Sequence, residues 1–130
     1  MKSTATSSII ACSALLVIAN LAFADATAIR TMANITMKLN HYASDSEKQT
    51  LAAIAKSDDS SESEIAVATA ISNLKHKVAA GDKEKLHSII ADDSVPEDLR
   101  AVASILISIN HRPTESDIEQ LGMIASGPGD

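Results

Sequence analysis

Aromatic residues, cysteine and basic charge are all scarce in this chain of 130 residues. It has no tryptophan, one phenylalanine (Phe23), one tyrosine (Tyr42) and one cysteine (Cys12). A lone cysteine forms no intrachain disulfide, so the fold must be held by packing. With so few rings the core has to be aliphatic, and stacking on bases or sugars has no platform. Eleven Lys and Arg face seventeen Asp and Glu, a formal net charge of −6, and the acids are scattered rather than blocked. Nucleic acid and anionic lipid both require a basic patch, so neither is an expected partner. Gly-rich phosphate loops are missing, and no serine sits in a glycine-flanked elbow.

What is present begins with an export signal. Lys2 is a short positive region, and Ile9 to Ala24 is apolar apart from Ser13 and Asn20. The run closes on Ala22-Phe23-Ala24, the small-x-small pattern of a cleavage site, so residues 1–24 read as a signal peptide. The run is shorter than the ~20 residues a membrane span needs, and no basic stop-transfer cluster follows it. Ile9-Ile10-Ala11-Cys12 looks like a lipobox, but most of the apolar segment follows Cys12 instead of preceding it. Cleavage after Ala24 removes Lys2 and Cys12, leaving a cysteine-free chain with ten basic and seventeen acidic residues, a charge of −7. The expected location is periplasmic or secreted, with no membrane contact after cleavage.

The remainder is an internal repeat. Shifted by 70 positions, residues 31–56 match residues 101–126 at 8 of 26 places without a gap. Half that shift also aligns: Leu39, Leu74 and Ile109 coincide, as do His41, His76 and His111, and Leu51, Leu86 and Leu121. The period is 35 residues, with repeats at 24–58, 59–93 and 94–128 filling a single domain over 25–130. Each repeat reads as a longer and a shorter helix. Met32, Ile35 and Leu39 fall on one face of the longer helix, and Leu51 and Ile54 on one face of the shorter. Capping signals are Asp59-x-x-Glu62 and Ser94-x-x-Glu97 for the longer helices, and Ser44-x-x-Glu47 and Thr114-x-x-Asp117 for the shorter. Gly81-Asp82 opens the remaining short helix, and Gly122 is expected to loosen the last one. No segment alternates with the period of a strand. The expected fold is all-α: three stacked hairpins of about six helices, as a short α-solenoid or a compact six-helix bundle, with less well covered end repeats.

From Asp82 to Ile109 the pattern resembles a HEAT-type repeat. Leu86, Ile89 and Ile90 make a first apolar helix, Asp92-Asp93 a turn, Pro96 an opening, and Leu99-Arg100-x-x-Ala103-x-x-Leu106 a second core face. Arg30 and Arg100 are equivalent, while the middle repeat departs with Ile65. Tetratricopeptide repeats have similar length but carry aromatic positions missing here. HEAT-like repeats imply a protein-binding scaffold.

Candidate sites are few. As equivalent residues of stacked repeats, His41, His76 and His111 are expected about one helix packing distance apart, ~8–10 Å, too far to share one ion. They are expected as structural residues in the last turn of the longer helices, serving free carbonyls. His87 lies outside that ladder, and His76 with His87, near Asp92 and Asp93, forms the alternative metal corner. Asp58-Asp59 and Asp92-Asp93 recur at one repeat position and read as turn residues rather than an acid–base pair. No enzyme activity and no cofactor are expected. Residues that break the repeat mark the preferred contact edge: Tyr42, Lys75, Lys77 and Arg112, imagined as a row at the ends of the longer helices. The leading expectation is an exported module that binds another protein or peptide as adaptor, inhibitor or assembly factor. The alternatives are a metal- or small-ligand-binding protein, and a structural protein self-associating through its end repeats.

Overall fold

The computed structural model describes residues 26–127; the expected signal peptide and the last three residues lie outside the described residues. Among the described residues all regular structure is helical: α1 (26–37), α2 (Asp45–Lys56), α3 (Glu62–Asn73), α4 (Ala80–Ala91), α5 (Glu97–Ser108) and α6 (Glu115–Ser126). Equivalent helices start 35 residues apart, at Asp45, Ala80 and Glu115, so the repeat seen in the sequence is a repeat of structure. No helix among the described residues is long and apolar enough to cross a membrane.

Local chemistry sets the helix starts. Ser44 caps α2, accepting from the Glu47 amide while Glu47 accepts at 2.8 Å from the Ser44 amide. Thr114 and Asp117 do the same for α6, as expected. Of the boxes expected for the longer helices, one is displaced by two residues and the other does not form. Ser61 with Glu64, not Asp59 with Glu62, caps α3, and α5 starts after Pro96 with no side-chain cap. Asp59 and Ser94 belong to the preceding turns, where the Asp59 amide donates to Ser57 Oγ and the Ser94 amide donates to Asp92. Gly81 and Asp82 lie in the first turn of α4, behind Ala79. The distinction between longer and shorter helices also disappears, since α2 to α6 each have 12 residues.

The odd-numbered helices form the inside. α3 and α5 each bury five residues, among them Val67, Ala70 and Ile71, and Leu99, Val102 and Leu106. Met32, Ala33, Ile35 and Thr36 of α1 are buried with them. The even-numbered helices bury a narrower stripe around Leu51, Leu86 and Leu121. Small side chains such as Ala33, Ala68 and Ala103, all fully buried, let the inner helices approach closely. At ~25 cal/mol per Å² of apolar surface removed from water, this aliphatic interior is the main source of stability.

The three hairpins close on one another. The His41 amide donates to the His111 carbonyl at 2.6 Å, the His76 amide to the His41 carbonyl at 2.7 Å, and the His111 amide to the His76 carbonyl at 2.7 Å. In an open row the first and third repeats would be held apart by the second, so this cyclic set requires a pseudo-threefold arrangement. Other contacts agree. Arg100 of the third repeat pairs with Asp93 at the end of α4, and Arg30 of the first repeat lies against Gly127 at the end of α6. Met37 of α1 likewise faces Gly122 of α6. Of the two arrangements open to the sequence, the compact six-helix bundle is the one adopted. The end repeats are therefore not undercovered, because each closes the other; Met32 and Leu121 are fully buried.

Two glycines test this packing. A methyl group at Gly122 would sit 3.8 Å from Met37 Sδ, an ordinary contact, so Gly122→Ala should raise stability by about 0.5–1 kcal/mol in urea unfolding. Gly127 has φ 76° and abuts the Arg30 guanidinium, so Gly127→Ala should lower stability by about 1 kcal/mol or more.

A pH effect arises at the α4–α5 turn. The Ser94 hydroxyl and amide donate to Asp92 Oδ1 at 2.6 and 2.9 Å and hold its carboxyl below the usual carboxylate range. That contribution is complete above the ordinary carboxylate pKa and is lost as pH falls through the lowered one. Asp92→Asn should flatten this part of the acid limb of stability against pH.

Candidate metal centre

Each hairpin turns over through a buried aliphatic residue followed by a histidine. Leu74 and Ile109 cap α3 and α5 with non-helical ψ of 127° and 129°, and with Leu39 they are almost fully buried. The next three residues form a tight reversal in which Asn40 pairs with Tyr42, Lys75 with Lys77, and Asn110 with Arg112. In the middle repeat the Lys77 amide donates to the Lys75 carbonyl at 2.7 Å, the hydrogen bond of a γ-turn. A histidine is the central residue each time, with φ of 73° at His41, 64° at His76 and 75° at His111. Among the described residues these are the only non-glycine positions with positive φ.

The expected placement of these histidines is thus corrected twice. They lie beyond the helices, not in the last turn, because the chain leaves helical geometry once Leu39, Leu74 and Ile109 turn into the core. They are also not spaced by a helix packing distance. Their ring centroids are 5.0, 5.1 and 4.9 Å apart, with planes inclined at 78°, 89° and 65°. One ring nitrogen from each lies within 4.8 Å of the other two. The ~8–10 Å expectation assumed neighbours in an open stack, whereas closure brings equivalent turns together on an axis.

His41 Nδ1 and His76 Nδ1 are 3.0 Å apart. Without a cation one of them must carry the hydrogen and donate to the other, since two facing lone pairs repel. A cation between them satisfies both. Nitrogens bound ~2.0–2.1 Å from a tetrahedral zinc ion are about 3.3 Å apart, so this pair already has ligand spacing. The His111 ring stands beside this pair, with its ligand nitrogen within 4.8 Å of theirs; His76 and His111 are exposed and His41 half-buried. The last carbonyls of α1, α3 and α5, a few residues before the triad, add partial negative charge that favours a cation there.

Backbone strain points to the side chains as the reason histidine occupies these turns. A non-glycine residue at positive φ costs of order 1–3 kcal/mol, and glycine or asparagine would relieve it. The neighbouring positions differ between repeats, as Asn40, Lys75 and Asn110 before, and Tyr42, Lys77 and Arg112 after. Histidine stands at the strained position all three times.

His87 is exposed on α4 and shares no hydrogen bond or ring contact with His76. Histidines 41 and 111 are the ring neighbours of His76, so the structure groups His76 with them and not with His87. Tyr42, Lys75, Lys77 and Arg112 are all exposed, as expected of a contact surface. They surround the triad, one turn per repeat, because the stack is closed; they do not form a row along an edge. Tyr42 also carries Lys48 Nζ 5.8 Å from its ring centre.

No protein-family model matches the chain, and no curated protein or solved structure matches it.

His76→Gly separates the two uses of the triad. Glycine relieves the positive φ and deletes one imidazole, so the metal-free protein should lose no stability and gain up to about 1 kcal/mol. His76→Val keeps bulk but adds β-branching at positive φ, and should lower the melting temperature. A large loss with glycine would mean that ring-to-ring contact is what the histidines supply.

Proposed function

We propose that this protein binds one divalent transition-metal ion, such as Zn²⁺, through His41, His76 and His111, as a small exported helical-repeat protein. The observation that carries this reading is the convergence of three imidazoles on strained turns, with ligand nitrogens within 4.8 Å of one another. Imidazole suits zinc, copper and nickel, and three such ligands on a tetrahedral ion form an open site with one position left over. The ion would join all three repeats where their turns meet, so binding and closure reinforce each other.

A second reading uses exposed side chains in two places, Tyr42 beside the triad and Met123 far along α6 beside the start of α5. Tyr42 is 61% exposed and Met123 68% exposed, which supports a HEAT-like protein- or peptide-binding module independent of metal. Capture of the same partner by wild type and by a variant lacking all three histidines would favour it.

Titration calorimetry of the purified protein with Zn²⁺ tests the metal reading. One ion should bind per chain, and His41→Ala, His76→Ala and His111→Ala should each weaken Kd by more than about tenfold, or 1.4 kcal/mol. His87→Ala should bind as wild type does. Free metal at 100 times Kd stabilises by about 2.7 kcal/mol, so the melting temperature should rise by about 10 °C. Equal weakening by His87→Ala, or no saturable binding, would sink the triad as the site.

A further inference from the structure

The residues flanking the triad point to what occupies the metal's remaining position. Three histidines supply three donors, and the triad lies at an exposed end of the bundle, so a tetrahedral ion keeps one position toward solvent. The six flanking residues are Asn40, Tyr42, Lys75, Lys77, Asn110 and Arg112. Every one can donate a hydrogen bond and none carries negative charge. Acids outnumber bases in the chain, seventeen to eleven, so this acid-free ring runs against the composition. Along the sequence, the nearest acids after the triad turns are at the starts of the even-numbered helices, and several have other partners. Glu47 and Asp117 close capping boxes on Ser44 and Thr114, while Asp82 accepts from Asn73 at 3.1 Å. Three neutral imidazoles leave the full double charge of the ion in place, and Lys75, Lys77 and Arg112 add three more positive charges around it.

We infer that the metal-loaded triad is a receptor for a small oxyanion, a carboxylate or phosphate, bound directly to the ion at its open position. Lys77 and Arg112, each immediately after a ligating histidine, stabilise the bound anion from outside the coordination sphere, with Asn40 and Asn110 as further donors. The ligand replaces a water molecule on the ion, so no covalent step is involved. This inference rests on the metal reading above and goes beyond it by naming the ligand class of the open position.

Cobalt(II) reports both levels separately, because its visible bands respond to ligand number and identity. Co²⁺ should give the intense bands of a four-coordinate site with wild-type protein. Adding acetate or inorganic phosphate at constant ionic strength should shift those bands saturably, and perchlorate should not. In Lys77→Glu/Arg112→Glu the cobalt bands should still form, with acetate and phosphate affinity lowered about tenfold or more. Cobalt bands that ignore both anions in the wild type would overturn the oxyanion receptor and leave the metal site standing. Anion shifts of equal affinity in wild type and charge-reversed variant would overturn the role of Lys77 and Arg112. Absence of cobalt bands altogether would overturn the metal reading and this inference with it. Asn40→Ala/Asn110→Ala provides a milder variant of the same ring, in which a smaller loss of anion affinity is expected.

Discussion

Three backbone hydrogen bonds, each from a histidine amide to the carbonyl of a histidine in another repeat, hold the turns of this protein in a ring. Any arrangement that satisfies all three must bring the first repeat against the third. The core follows from that closure, because α1, α3 and α5 then surround a common axis and bury their alanines and branched residues against each other. The even-numbered helices cover the outside with one stripe apiece. The repeats on either side of the closure meet as the others do: Arg30 reaches the end of α6 as Arg100 reaches the end of α4.

Closure also gives the three turns a shared chemistry. Threefold repetition multiplies a single histidine into three donors at one point, without any local motif of ligands in the sequence. Metal motifs written in one stretch of chain rely on helix or loop spacing. Here the spacing is 35 residues, and the tertiary fold alone makes it short. The strain at positive φ is tolerated because each turn is anchored on both sides, by a buried Leu39, Leu74 or Ile109 before it and a helix start soon after. Such over-determination is the usual condition under which a strained backbone persists, and it preorganises the side chains that the proposed site uses. The flanking asparagines, lysines, arginine and tyrosine vary between repeats because the ring of backbone bonds does not depend on their side chains.

Periodicity and repeat spacing are enough to place the helices and to equate the three histidines, but not to give the distance between them, which closure sets. Apolar positions at 39, 74 and 109 and at 51, 86 and 121 identified the core, all of it buried. Serine and threonine caps at 44 and 114 were legible because reciprocal capping is a local interaction between residues three apart. At Asp59 two overlapping serine- and acid-rich patterns compete, and Ser61 with Glu64 is the box used; at Ser94 the side chain and amide are taken by Asp92 in the preceding turn, and α5 starts after Pro96 without a side-chain cap. Gly122 is a weakness of α6 legible from the sequence, and the structure adds that a methyl group there would sit 3.8 Å from Met37 Sδ, with room to fit. One signal could have exposed the triad: an identical side chain at the same step of a short, odd-numbered repeat, among neighbours that are not identical.

By itself, the sequence determined most of what depends on near neighbours along the chain. The helical class, the 35-residue period, the aliphatic core positions and the lack of disulfides belong to that group. Whether the hairpins form an open row or a ring depends on small angles between helices, summed over three repeats, and no local pattern encodes such a sum. Only the tertiary structure decided it, and with it the distance between His41 and His111, separated by 70 residues in sequence and 5.1 Å between rings in space.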